Sequence, residues 1–192
     1  MNRGTTLAIF ASGGGSNARR IIEHFRSSSD IKVGLIVCNN HKAGVLNVAA
    51  EEGIPTLLLS RDHFSQTGYL SELESHGVGF IALAGFLWRL PSILTQHYAH
   101  RIANIHPALL PAHGGKGMYG RHVHEAVINS AAPQSGITIH LVDEEYDHGK
   151  VIFQASYPVG KADTAPLLEE RIRQLEHQHY PLILELLIKA LS

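Results

Sequence analysis

Four short apolar runs punctuate the first half of the chain, at residues 7–10, 31–38, 56–59 and 80–84, each bounded by turn-forming residues. Runs of that length without polar alternation predict strands covered on both faces. Between them, residues 17–25, 43–52 and 64–75 carry helical patterns long enough to serve as crossovers. Alternating strands and helices predict an α/β fold: a Rossmann-like, mixed but mostly parallel sheet with helices on both faces. After Gly85 the rhythm changes. A short segment at 91–98 precedes a strand at 101–105, a glycine-rich loop and a helix at 122–130. Residues 135–142 and 150–157 flank an acidic turn, which predicts an antiparallel pair added to the sheet. Further on, Asp163 or Thr164 is placed to cap a helix with Pro166 in its first turn, and Pro181 is expected to divide that helical stretch in two.

At 192 residues the chain suits one well-buried domain, 1–192, rather than two independent cores. The 44% apolar and 17% charged composition is globular. Sixteen Lys and Arg against 17 Asp and Glu leave no basic field for a nucleic-acid backbone or an anionic membrane surface, so an anionic ligand has to be held locally. The single cysteine, Cys38, lies in an apolar run and is expected as a small buried core residue in a reducing compartment. The longest uncharged apolar-looking run, 78–88, falls far short of the ~20 residues that span a bilayer, and the N-terminus carries no secretory pattern. A cytoplasmic location and a monomer or homodimer are the expectations.

Three places carry chemistry. The turn Ser12-Gly13-Gly14-Gly15-Ser16-Asn17 sits between a predicted strand and a predicted helix, where free N–H groups and the helix dipole attract phosphate. The second strand ends in Cys38-Asn39-Asn40, with no carboxylate for an adenosine ribose, and no lysine follows the glycines, so the dinucleotide and triphosphate patterns both fail. A tight turn without a ligand explains the glycines as well. Asn104 and His106 lie two apart at a predicted strand end, so both side chains leave one face of the sheet. An asparagine N–H can stabilise a developing oxyanion and an imidazole can exchange a proton, which suits attack on a carbonyl, although the pair could equally be hydrogen-bonded without chemistry. The turn Asp143-Glu144-Glu145-Tyr146-Asp147-His148-Gly149 is mostly a solvated turn, but Asp147 folded back onto His106 would raise the histidine's pKa. Fourteen histidines raise the question of zinc; the pairs at 122/124 and 177/179 fall on predicted helix, where i and i+2 diverge, so no metal is expected.

Together with Ala84-Gly85-Phe86, Asn104-Ile105-His106-Pro107-Ala108-Leu109-Leu110-Pro111, Gly136-Ile137-Thr138-Ile139-His140 and Asp147-His148-Gly149, the glycine turn makes the chain resemble the phosphoribosylglycinamide formyltransferase family over almost its whole length. The resemblance implies transfer of the formyl group of 10-formyltetrahydrofolate to the amine of 5-phosphoribosylglycinamide, in purine biosynthesis. It implies a nucleotide-binding half at about residues 1–100 and a folate-binding, catalytic half at about 101–192. Asn104, His106 and Asp147 would be catalytic, with protonated His106 and Asn104 stabilising the oxyanion. Gly15, Ser16, Asn17, Arg173 and Glu176 would hold the ribonucleotide. Leu87, Trp88, Arg89 and Leu90, with Asn104 and the Asp143, Glu144, Glu145, Tyr146 and Asp147 loop, would hold the folate. The basic folate contact usual before the helix at 64–75 has no clear counterpart, because Gln66 or Thr67 falls there and Arg61 is displaced. The loop 112–121, with Lys116, is longer than in many relatives and is left unassigned. The rival readings are a formyltetrahydrofolate hydrolase and a noncatalytic phosphoryl-ligand sensor; the sensor has no reason to gather asparagine, histidine and aspartate.

Overall fold

The computed structural model describes residues 4–65 and 68–191. Its strands are β1 (Thr5–Ala11), β2 (Ile31–Cys38), β3 (Thr56–Leu58), β4 (Val78–Leu83), β5 (Ile102–His106), β6 (Gln134–Leu141) and β7 (Val151–Pro158). Its helices are α1 (Ser16–Phe25), α2 (Val45–Glu51), α3 (Arg61–Ser65), α4 (Gly68–Ser75), α5 (Ser92–His97), α6 (Arg121–Asn129) and α7 (Ala165–Ala190). The seven strands form one sheet in the order β3-β2-β1-β4-β5-β6-β7. The pairs from β3 to β5 are parallel, whereas β5/β6 and β6/β7 are antiparallel, which is the mixed sheet expected from the sequence.

Period-two packing explains why the early strands read as unbroken apolar runs. On β1, Leu7, Ile9 and Ala11 face one core while Ala8 and Phe10 face the other, and Phe80 and Ala82 against Ile81 and Leu83 repeat this on β4. Both faces are covered there, so these positions are apolar. Each fully buried Leu, Ile or Phe contributes roughly 1.5–3 kcal/mol relative to leaving it exposed. Helix α1 buries Ala18, Ile21, Ile22 and Phe25 at the i, i+3, i+4, i+7 spacing of a single helical stripe. Cys38 is fully buried and unpaired with any disulfide partner.

Two expectations about the last helix are corrected. α7 runs unbroken for 26 residues through Pro181. Proline has no N–H for the carbonyl of His177 and costs about 3 kcal/mol inside a helix. The helix continues because Tyr180, Pro181 and Leu184 are all buried against the sheet, and that packing outweighs the lost bond. Thr164 occupies the N-cap position but makes no side-chain capping bond. Asp163 instead accepts the Gly160 N–H and pairs with Arg171.

The order of the sheet turns back on itself at β1, with β2 and β3 on one side and β4 onward on the other. An open α/β sheet leaves a crevice at the carboxyl ends of the strands flanking such a point. Here those ends are the glycine turn after β1 and the segment 84–90 after β4. They are joined directly: Ser12 N–H donates to the Gly85 carbonyl, and Ser12 Oγ accepts the Leu87 N–H at 3.0 Å. The floor is fastened by Tyr180, fully buried, whose hydroxyl lies 2.9 Å from both the Leu83 and Ala103 carbonyls and bridges β4 to β5 beside Asn104. Tyr180→Phe leaves both carbonyls without that donor in a dry site, so urea unfolding should show a loss of about 1–3 kcal/mol; unchanged stability would mean the bridge contributes nothing.

Candidate active site

The glycine turn owes its shape to Gly15. This residue adopts φ 83° at the start of α1, and a Cβ there would lie 2.8 Å from the Val45 Cα, so both backbone and space require glycine. No acidic residue stands in the first turn of α1 and no side chain caps it, leaving its leading N–H groups for a ligand.

A cavity of about 500 Å³ runs along the crevice. Its wall includes Asn17, Leu87, Trp88, Arg89, Leu90, Asn104, His106, Asp143, Glu144, Glu145, Tyr146, Asp147, Arg173 and Glu176. Thus nearly every site residue expected from the sequence meets in one space, although these come from opposite ends of the chain. Gly15 and Ser16 are not part of this wall.

Asn104 and His106 share a face of β5, as their spacing predicts, and Asp147 does fold back onto them. Its Oδ2 lies 3.6 Å from His106 Nδ1 and accepts the Gly115 N–H at 2.9 Å. Its Oδ1 lies 3.5 Å from Asn104 Nδ2 and 3.6 Å from His140 Nε2. Asp147 reaches this position from a left-handed backbone, φ 54°. Burial by itself would raise the Asp147 pKa, but the nearby His140 and His106 rings and the Gly115 N–H together bring it below the carboxylate norm. The group is an anion.

His106 overturns one expectation. Its pKa is lowered, not raised: burial of the ring dominates, and the attraction of Asp147 restores only part of the difference. His106 is 3% exposed, and its Nε2–H donates to the His113 carbonyl at 2.8 Å. The resting imidazole is therefore neutral, with its second nitrogen facing the carboxylate.

Elsewhere the partners are more local than expected. Asn17 Nδ2 donates to Glu176 Oε2 at 2.9 Å, so this amide is engaged by a carboxylate. Glu176 is not a solvated helix residue; burial raises its pKa and the Asn17 bond offsets part of that. Arg173 pairs with Glu169 at 2.8 Å on the same helix. Arg89 donates through Nε and Nη2 to the Glu144 carbonyl, and Gln96 to the Glu144 carboxylate, which ties the acidic loop to the segment after β4. Asp143 accepts from Glu145 N–H and contacts His148, as a solvated turn does. Trp88 packs among Phe64 and Phe86, with the Arg61 guanidinium 4.9 Å above its ring, so the displaced arginine does stand beside the expected folate segment. Gln66 and Thr67, the other candidates for that contact, lie outside the described residues.

Sequence reasoning missed four contributors. His113, Gly115, His124 and His140 all surround the centre: the first two through backbone groups of the loop left unassigned, His124 buried in the cavity wall, and His140 opposite Asn104 on β6. Lys116, Met118 and Tyr119 of that loop also line the cavity. Among the described residues no three His, Cys, Asp or Glu side chains converge as a metal-ligand set.

The formyl transferase family profile matches residues 5–184, and the chain belongs to that family. It is similar to the chloroplastic phosphoribosylglycinamide formyltransferase of Arabidopsis thaliana, 44% identical over 181 residues, covering 91% of this chain but 62% of that protein. The chain thus spans about three-fifths of the length of its plant relatives. The phosphoribosylglycinamide formyltransferase of Bacillus subtilis (strain 168) is 33% identical over 188 residues, covering 95% of this chain and 94% of that one. The crystal structure of glycinamide ribonucleotide transformylase 1 from Geobacillus kaustophilus superposes with a TM-score of 0.88 at 34% identity, covering 97% of this chain and all of that chain.

The lowered His106 pKa has a sign that can be checked. Below the ordinary value of 6.5 the unfolded chain takes up a proton that buried His106 resists, so stability falls as pH decreases through that region. His124 and His177, also lowered by burial, act in the same direction. Urea unfolding of wild type and His106→Asn across this range should give a shallower pH dependence in the variant; identical slopes would show that His106 is not held neutral.

Proposed function

We propose that this chain is a phosphoribosylglycinamide formyltransferase, moving the formyl group of 10-formyltetrahydrofolate to the amine of 5-phosphoribosylglycinamide. The observation that carries the reading is the convergence of Asn104, His106 and Asp147 at one point of a cavity that also reaches Asn17, Arg173 and Glu176. The names of the full-length bacterial relatives support the same assignment.

The cavity suits both ligands. Leu87, Trp88, Leu90, Ile105 and Val142 offer apolar walls to a flat heterocycle, and the adjoining loop from Asp143 to Asp147 offers polar edges. The leading N–H groups of α1 at Gly15, Ser16 and Asn17 would take the phosphate, with Arg173 supplying charge and Glu176 contacting the glycinamide end. Bound formyl folate supplies an activated carbonyl carbon with a nitrogen leaving group.

The protein's part is electrostatic and proton-handling. As the substrate amine bonds to the formyl carbon, Asn104 Nδ2–H donates to the formyl oxygen on which charge accumulates. The amine loses one proton and the leaving nitrogen gains one, so the exchange balances. His106 Nδ1, neutral at rest and facing Asp147 Oδ2, holds the proton in transit, and the carboxylate stabilises the imidazolium that forms. No bond to the enzyme is made.

Purified protein should form tetrahydrofolate from 10-formyltetrahydrofolate only when 5-phosphoribosylglycinamide is present. Equal turnover without the acceptor assigns a hydrolase, and no turnover in either case assigns a sensor. Asp147→Asn should keep the fold and lower kcat by about 10²–10⁴-fold, the range for losing a proton-transfer or charge-stabilising group. Wild-type rates in a folded Asp147→Asn protein would remove the carboxylate from the chemistry.

A further inference from the structure

An asparagine amide presents an oxygen on one edge and two hydrogens on the other, and only the nitrogen edge can stabilise a growing negative charge. The terminal torsion of asparagine is broad and nearly two-fold, so the side chain does not choose its edge by itself. Something in the site has to choose it.

His140 stands directly across the antiparallel ladder from Asn104 and is 2% exposed. Its Nδ1 lies 2.8 Å from the Leu141 carbonyl. A carbonyl can only accept, so Nδ1 carries the hydrogen and, in the neutral ring, Nε2 carries a lone pair. That lone pair lies 3.1 Å from Asn104 Nδ2 and accepts from it. The second neighbour on this side, Asp147 Oδ1, is also an acceptor, at 3.5 Å. Turning the amide over would set its oxygen against a lone pair and a carboxylate together.

We infer that His140 is a positioning residue for the transfer, using Nε2 to hold the nitrogen edge of Asn104 toward the reacting centre. One amide hydrogen is anchored on His140. The other has only the longer contact with Asp147 and is released to the formyl oxygen when it arrives. The Leu141 carbonyl is the second member of the device, because it keeps the proton on Nδ1 and off Nε2. His106 does not perform this task, since its unprotonated nitrogen, Nδ1, faces Asp147 Oδ2 and not the Asn104 amide. This inference rests on the formyl-transfer reading and acts through Asn104.

The test compares His140→Gln with His140→Asn. A glutamine amide extends to the place of Nε2 and can accept from Asn104, whereas an asparagine amide stops near the place of Nδ1. In the acceptor-dependent assay, His140→Asn should lower kcat by about 10–100-fold with both KM values within about threefold, the pattern of an interaction made in the transition state. His140→Gln should stay within about fivefold of wild type, because the acceptor is restored. Equal impairment of the two variants, a wild-type kcat in His140→Asn, or a loss confined to KM would overturn the inference. A second measurement needs no variant: long-range proton–nitrogen NMR of the wild-type imidazoles, above their titration, should show His140 protonated on Nδ1. Protonation on Nε2 would overturn the inference outright. An inactive wild-type protein would instead defeat the underlying functional reading, so the two failures are separable.

Discussion

One carboxylate in a dry corner organises the active site. Asp147 is an anion withdrawn from most of the solvent, and such a group persists only where donors and positive charge replace the water it lost. Its surroundings come from three separate pieces of backbone. β5 supplies the Asn104 amide and the loop before α6 supplies the Gly115 N–H, while His106 on β5 and His140 on β6 stand 3.6 Å away. Satisfying Asp147 therefore closes the loop over the sheet and sets the relative positions of the polar side chains around it.

The neighbouring histidine follows from the same geometry. His106 is buried too, and burial works against its charged form, so it rests neutral beside an anion. Desolvation wins at rest, while the attraction of Asp147 grows in importance once a proton is delivered. That difference between resting and charged states is what the proposed proton transfer would use. A histidine already protonated at rest would have the attraction satisfied before the reaction began.

The scaffold keeps this centre in place through contacts far from it. Tyr180, on a helix drawn from the end of the chain, fastens the carbonyls flanking the position of Asn104. Ser12 binds the glycine turn to the segment after β4, bringing the expected phosphate and folate regions to one crevice. α7 matters here as well, since its stretch before Pro181 carries Ile172, Arg173 and Glu176 to the cavity and Tyr180 to the sheet.

By itself the sequence determined the strands and helices, because strands covered on both faces must be apolar at every position and helices covered on one face must repeat every three to four residues. It also determined that Asn104 and His106 share a face, since alternation along a strand is a local property. The glycine turn was legible as a turn, but the close approach of Val45 that demands glycine at position 15 is tertiary. The tertiary structure decided what depends on distance across the chain. The pairing of Asp147 with His106, the place of His140 opposite Asn104 and the course of the loop around Gly115 depend on strand register and loop path, which no local pattern encodes. The protonation of His106 was misjudged from sequence because a neighbouring carboxylate can be imagined from a motif, whereas the burial that outweighs it exists only in the folded protein. Pro181 was misjudged for the converse reason: its local penalty is visible in the sequence, but the packing that overrides it belongs to the sheet beneath.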